Sequence, residues 1–422
     1  MTDNILSTAT DERLPAGITA GPPPRDEERL VLELGQALHR YGTPAHRIEL
    51  ILERLSEKLG LQGQFFAVPT AIIASFGDLG AQRGGLVRLE PGGVDLGKLA
   101  RLDEEIKALL GAERTPDQGL DEIHRIAAAG SPYPAWLSLI CFGIASASAA
   151  RFFGGSWHET LVSLVVGLVL GLVAQIADRN AHRRNVFVPI AAAVGAALAY
   201  GAQWVVGPYR VEVVTIAGLL YLLPGFTLTV ALTELSTRHL VSGTARLTMA
   251  ILVLLEMAFG VAIGSRIALL GPIPAAAPIV GDLSAPALLA ALVAAALSFM
   301  VLFRARLKDA PAIVAACAIA FYGARFGAQW LGPQLGAWVG ALLVGLACNA
   351  YARLWDRPPT VPLVPAILLL VPGTIGLRSV TWLLQNETIK AVDAAFEMGM
   401  IGMALAMGML VANLILPPRR GL

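Results

Sequence analysis

The sequence predicts a membrane all-α fold of ten transmembrane helices, arranged as two five-helix inverted repeats and preceded by a small cytosolic α/β domain. Three observations predict it. Of the 422 residues, 55% are hydrophobic and 15% charged, against roughly 25% charged in soluble proteins, which excludes a soluble globular enzyme as the whole protein. The charge is uneven: residues 1–134 hold 20 acidic and 14 basic side chains of 31 and 32 in the chain, so water is the solvent of the first third and lipid of the rest. From residue 135 onward, apolar runs of about 17 to 25 residues, the length that crosses a bilayer, follow one another, and motifs recur within them.

Residues 1–25 contain no apolar core of a signal peptide and read as a disordered tail, with Pro22 to Pro24 at its boundary. Residues 26–130 form the α/β domain. Apolar residues at helical spacing (Leu30, Leu34, Leu38; Ile48, Ile51, Leu52, Leu55) predict helices over 26–41 and 43–59, with Thr43 and Pro44 as N-cap and first helical residue. Phe, Val and Ile enrichment predicts strands over 64–76, interrupted at Pro69, and over 85–89 after a loop at 77–85. Helices return over 95–110 and 116–129. His39, His46, Thr70, Ser75 and Asp78 form no nucleophile elbow, zinc-binding HExxH or phosphate loop, and are read as solvated helix faces and turns. Cys141, Cys317 and Cys348 all lie in apolar runs, so neither a disulfide framework nor a zinc site is expected. No metal or cofactor is expected.

A linker, residues 131–134, leads into ten spans at about 135–153, 160–177, 186–206, 211–233, 245–269, 285–303, 311–330, 335–352, 361–384 and 391–416. With the first domain in the cytosol, twelve Arg and Lys residues fall in the connections on its side and at most four on the other. The positive-inside rule then places both termini in the cytosol and the chain in the cytoplasmic (inner) membrane. The small net charge of +1 gives no reason to expect a nucleic-acid partner.

Repetition is the most informative feature. LYLLPGFTLTVALTEL (220–235) and LLLVPGTIGLRSVTWL (368–383) each carry a Pro-Gly pair inside a span, followed by hydroxyl residues. The next spans carry Glu256 in LLEMAFG and Glu397 in AFEMGM. One five-span unit, 135–270, is thus repeated at 285–416, and an odd number of spans inverts the second copy. Pro224, Gly225, Pro372 and Gly373 break their helices, and the half-helices that follow offer free N–H groups to a carboxylate. Thr227, Thr229, Thr374 and Ser379 add hydroxyls, so these eight residues are the expected substrate-binding set. A carboxylate inside a bilayer costs roughly 2.5–3.5 kcal/mol on insertion scales. Glu256, with Glu397 and Asp393, is therefore the expected proton carrier. Arg151 and Arg325 either bind substrate or pair with these acids.

The chain resembles the threonine/serine exporter family. The resemblance rests on the LELGQALHRYGTPAHRIE helices (32–49), the PTAIIASF strand (69–76), the LEPGGVDLGKLARLDE segment (89–104) and ten spans with paired Pro-Gly breaks. It covers residues 28–416 and implies export of threonine and serine driven by the proton-motive force. Two-component members whose halves resemble the two parts of this chain are linked to dicarboxylate export, so succinate is the alternative substrate. A membrane-anchored enzyme or sensor acting through the cytosolic domain is the other alternative. The expected partners are a small-molecule substrate, protons, membrane lipid and a second copy of the chain in a homo-oligomer.

Overall fold

A computed structural model of the chain describes residues 18–19, 25–78, 80, 82–90, 92–268, 284–370 and 373–418. The chain divides into two compact units after Gly130.

The first unit contains α1 (Asp26–Arg40) and α2 (Ala45–Lys58), then an antiparallel sheet, then α3 (Leu96–Leu110) and α4 (Pro116–Ala128). The sheet strands are β2 (Gly63–Val68), β3 (Ala71–Phe76) and β4 (Arg83–Arg88), with β1 (Ile18–Thr19), from within the expected tail, on the free edge of β4. Leu30, Leu34, Leu38, Ile48, Leu52, Leu55 and Ile72 are fully buried between the helices and one sheet face. On the other face Phe66, Ile73 and Leu86 are aligned by the strand register and exposed.

Three expectations need correction. Pro44, not Thr43, is the N-cap of α2: its extended backbone (ψ 148°) delays the helix by one residue. Strand β4 starts at Arg83 rather than Gly85, because it pairs with β3 as far as Phe76. Thr70 and Asp78 are exposed, but His39 is only 5% exposed and belongs to the core rather than a solvated face.

The second unit is all helical. In order it contains α5 (Ala135–Phe152), α6 (Trp157–Ala177), the short α7 (Ala181–Asn185), α8 (Phe187–Gly201), the short α9 (Gln203–Val206), α10 (Val211–Gly218), α11 (Gly225–Ser236), α12 (Leu240–Ala268), α13 (Ala285–Leu302), α14 (Ala310–Leu331), α15 (Pro333–Trp355), α16 (Thr360–Leu369), α17 (Gly373–Leu384) and α18 (Thr388–Ile415). Among the described residues nine helices are long and apolar enough to cross a membrane, or ten spans when α10 and α11 are counted as one bent pair.

Small residues set how closely these helices approach. A Cβ on Gly260 or Gly264 of α12 would collide with the carbonyl oxygen of Pro189 or of Ala193 on α8. Polar side chains tie other pairs. Asn349 on α15 donates to Asn413 Oδ1 (2.8 Å) and to the Leu416 carbonyl (2.9 Å) at the end of α18. Gln175 donates to the Ala135 carbonyl, joining α6 to α5.

Candidate functional site

One interior break occurs at the Pro224-Gly225 pair, and the helix after the other begins at Gly373. α10 ends at Gly218, a 3-10 turn carries Leu220–Leu222, and Pro224 caps α11, of which Gly225 is the first residue. Pro224 has no N–H for the preceding turn, and the two segments bend by 50°. The leading N–H groups of α11 have no partner within the helix. The second break lies between α16 and α17, which begins at the buried Gly373; Pro372 lies outside the described residues.

The hydroxyls behind the breaks fall into two groups. Thr229 donates to the Gly225 carbonyl (3.0 Å), and Ser379 to the Ala391 carbonyl across to α18 (2.6 Å), so both serve the fold. Thr227 and Thr374 are half-buried and form no hydrogen bond among the described residues. α11 packs on α12 and α18, and α17 packs on α18 and α12. At Gly376 a Cβ would come within 2.5 Å of Met398 Sδ and 2.8 Å of Leu254 Cδ1, so α17 is held closely between α18 and α12.

The acids expected to carry protons sit at the edge of this arrangement. Glu256 is half-buried beside the exposed Leu252 and Phe259 on α12. Glu397 is half-buried beside Phe396 and Met400 on α18, and Asp393 is exposed. Arg151 closes the turn between α5 and α6, donating to the Gly155 carbonyl (2.8 Å) with its guanidinium over the Trp157 ring. Arg325 is exposed on α14.

A cleft of about 50 Å³ opens between α8, α10, α12 and α17. Glu212 and Thr215 of α10, Arg378 and Thr381 of α17, Tyr200 of α8 and Val261 of α12 line it. Glu212 and Arg378 are exposed, and neither forms an ion pair among the described residues. Thr215 is 5% exposed, yet its hydroxyl has no hydrogen-bond partner among the described residues. A buried hydroxyl left unmatched costs about 1–3 kcal/mol. Thr381 instead donates to the Leu377 carbonyl (2.8 Å).

Sequence reasoning missed Glu212, Thr215, Arg378 and Thr381 in this role. The available signal was a charge of each sign inside the two interrupted spans. Among the described residues no group of three or more His, Cys, Asp or Glu side chains could hold a metal ion.

Apolar helices of bilayer length, two of them interrupted in their interior beside a cleft with charges of both signs, define a multi-pass membrane protein of the transporter class. The chain belongs to the threonine/serine exporter family. Residues 29–268 match the family model described as "Putative threonine/serine exporter", and residues 287–415 match "Threonine/Serine exporter, ThrE".

Curated relatives are fungal proteins named pheromone-regulated membrane protein 10. That of Candida albicans (strain SC5314) is 28% identical over 370 residues, covering 83% of this chain and 33% of the relative. That of Saccharomyces cerevisiae (strain YJM789) is 26% identical, covering 92% and 54%. The chain thus spans about a third to a half of the length of these relatives. No solved structure matches it.

Proposed function

We propose that the chain is a secondary active exporter of threonine and serine that works by proton antiport across the cytoplasmic membrane, with its N-terminal unit in the cytosol. The observation that carries this reading is the cleft lined by both Glu212 and Arg378, neither in an ion pair among the described residues, and by Thr215, whose hydroxyl has no partner among them. An amino acid is a zwitterion with complementary charges. Arg378 takes its carboxylate, Glu212 its ammonium group, and Thr215 the side-chain hydroxyl that threonine and serine share. Hydrogen bonds to charged groups contribute about 1.5–3 kcal/mol each, so two bring the sum near the −4.1 kcal/mol of a millimolar Kd. Binding of that strength permits release, as transport requires.

At about 50 Å³ the cleft has room for one or two waters at roughly 30 Å³ each. Substrate therefore enters only when α17 and α10 separate. The breaks at Pro224, Gly225 and Gly373 supply the hinges, and Thr227 and Thr374, whose hydroxyls form no hydrogen bond among the described residues, follow the substrate past them.

The inverted repeat is supported by matching contacts: α10 on α6 corresponds to α16 on α14, α8 on α12 to α15 on α18, and α11 on α12 to α17 on α18. Transport is then a rocking of two related halves. Glu256 is the proton carrier, with Glu397 and Asp393 as its relay.

Succinate fits less well, because its second carboxylate would meet Glu212. Efflux of labelled threonine, serine and succinate from proteoliposomes, with and without a pH gradient, tests the reading. Proton-dependent flux of the two amino acids is the expected result, and succinate flux alone would overturn the substrate assignment. Glu256→Gln is expected to abolish the response to pH with folding intact; an unchanged pH dependence would remove Glu256 from the mechanism.

A further inference from the structure

We propose that Ser163 of α6 completes the site at Thr215, the two hydroxyls together holding the side-chain hydroxyl of the substrate. The inference rests on the exporter reading above and adds to it a specificity-determining residue. A hydroxyl on a membrane helix ordinarily donates to the carbonyl one turn back. Thr160, Thr229, Thr233 and Thr381 do so, at 2.8 to 3.0 Å. Ser163 and Thr215 are 0% and 5% exposed, yet neither hydroxyl has a hydrogen-bond partner among the described residues. Among the described residues of the second unit, no other fully buried hydroxyl is in that condition.

The packing of α6 on α10 brings the two to one level. The backbone N–H of Arg210, just before α10, donates to Glu159 Oε1 on α6 (3.1 Å). Further along, a Cβ on Gly218 would come within 2.6 Å of Val166 Cγ1. The two helices therefore run in the same direction, and Ser163 and Thr215 both lie between these contacts, each three residues before the second. Residues three or four apart share a helix face. Ser163 is thus on the face of α6 that carries Glu159 and Val166, and Thr215 on the face of α10 that carries Gly218. Thr215 in turn lines the cleft.

Two buried hydroxyls at one level of one interface, not bonded to each other, fit a third polar group between them. A hydroxyl has one proton to donate and lone pairs with which to accept, so the substrate's can donate to one of the pair and accept from the other. Threonine and serine bring that group. Valine and 2-aminobutyrate match them in size with a methyl in its place, and would leave both buried hydroxyls unmatched, the condition under which a site rejects an analogue most strongly.

The test is competitive flux in proteoliposomes carrying the full chain, read as the preference for threonine over valine and for serine over 2-aminobutyrate. Such a ratio does not depend on how much of the protein is folded. Ser163→Ala should lower both preferences roughly tenfold through loss of one hydrogen bond. Thr160→Ala removes a hydroxyl already bonded within α6 and should leave both preferences as they are. For the unmodified chain in detergent, independent of any variant's folding, serine should raise the unfolding midpoint more than 2-aminobutyrate does. Unchanged preferences in Ser163→Ala, an equal fall in Thr160→Ala, or equal midpoint shifts from the two amino acids would overturn the hydroxyl pair while leaving the exporter reading in place. An unmodified chain that carries neither threonine nor serine would overturn that reading and this inference with it.

Discussion

The start of α14 and the start of α10 each place a carboxylate near an arginine from another element, with opposite results. Asp309 is 1% exposed and held by Arg306, Tyr351 and Arg357. Glu234, fully buried, is likewise held by Ser242 and Arg246, and Glu159 by Ser156 and Arg210. Each of these acids fastens segments that are separate in sequence. Glu212 and Arg378 line one cleft and form no ion pair among the described residues. The first group is charge committed to the fold, whereas the second is charge held open for a ligand, so the same residue types should respond to substitution in opposite ways.

The largest effect tests the first group. Asp309→Ala leaves two guanidinium groups and a phenol without their shared acceptor, and losing one partner of a buried pair costs about 3–5 kcal/mol. Because Arg357 is 30% exposed, we expect about 3 kcal/mol, read as a lowered unfolding midpoint in detergent. Glu212→Gln should do the reverse. Stability should change by no more than about 0.5 kcal/mol, as for exposed sites, while threonine flux falls roughly tenfold or more through loss of one charge-assisted contact. Arg378→Gln should match it. If Glu212→Gln destabilised the chain as much as Asp309→Ala, the two regions would not differ in kind and the cleft would be structural.

Thr215→Val gives a smaller and more selective effect. Removing a buried hydroxyl that has no partner should stabilise the chain by about 1 kcal/mol. In competition flux assays the preference for threonine and serine over alanine should fall with it. A drop in stability would mean that the hydroxyl contributes to the resting fold.

What the sequence made legible follows the same division. Spans, breaks and the first unit's helices are set by apolar periodicity and by Pro and Gly, which act locally, and they were readable to within a few residues. The roles of the polar residues were not. Thr229 and Thr227 are two positions apart on one helix, yet one hydroxyl bonds the Gly225 carbonyl and the other forms no hydrogen bond among the described residues. Arg151 and Arg378 are both intramembrane arginines by sequence; one closes a turn on Gly155 and the other lines the cleft that Glu212 also lines. Whether a polar group is committed or open depends on what the tertiary fold places opposite it, and no local pattern records that.

Glu105 in the first unit tests whether a partner alone makes a charge comfortable. It is 2% exposed and bonded to Arg114, itself 37% exposed. Burial nevertheless outweighs the attraction of Arg114 and Arg125 and pushes its carboxyl above the usual range. The folded chain therefore binds this proton more tightly than the unfolded chain does. Its contribution to stability is fully present below the ordinary glutamate value and is lost as pH rises through the raised one. Glu105→Gln should flatten that part of the pH profile of denaturant unfolding and, at neutral pH, leave stability equal or higher by under about 1 kcal/mol. A clear loss of stability at neutral pH would instead place Glu105 with Asp309, as an acid whose partner more than offsets its burial.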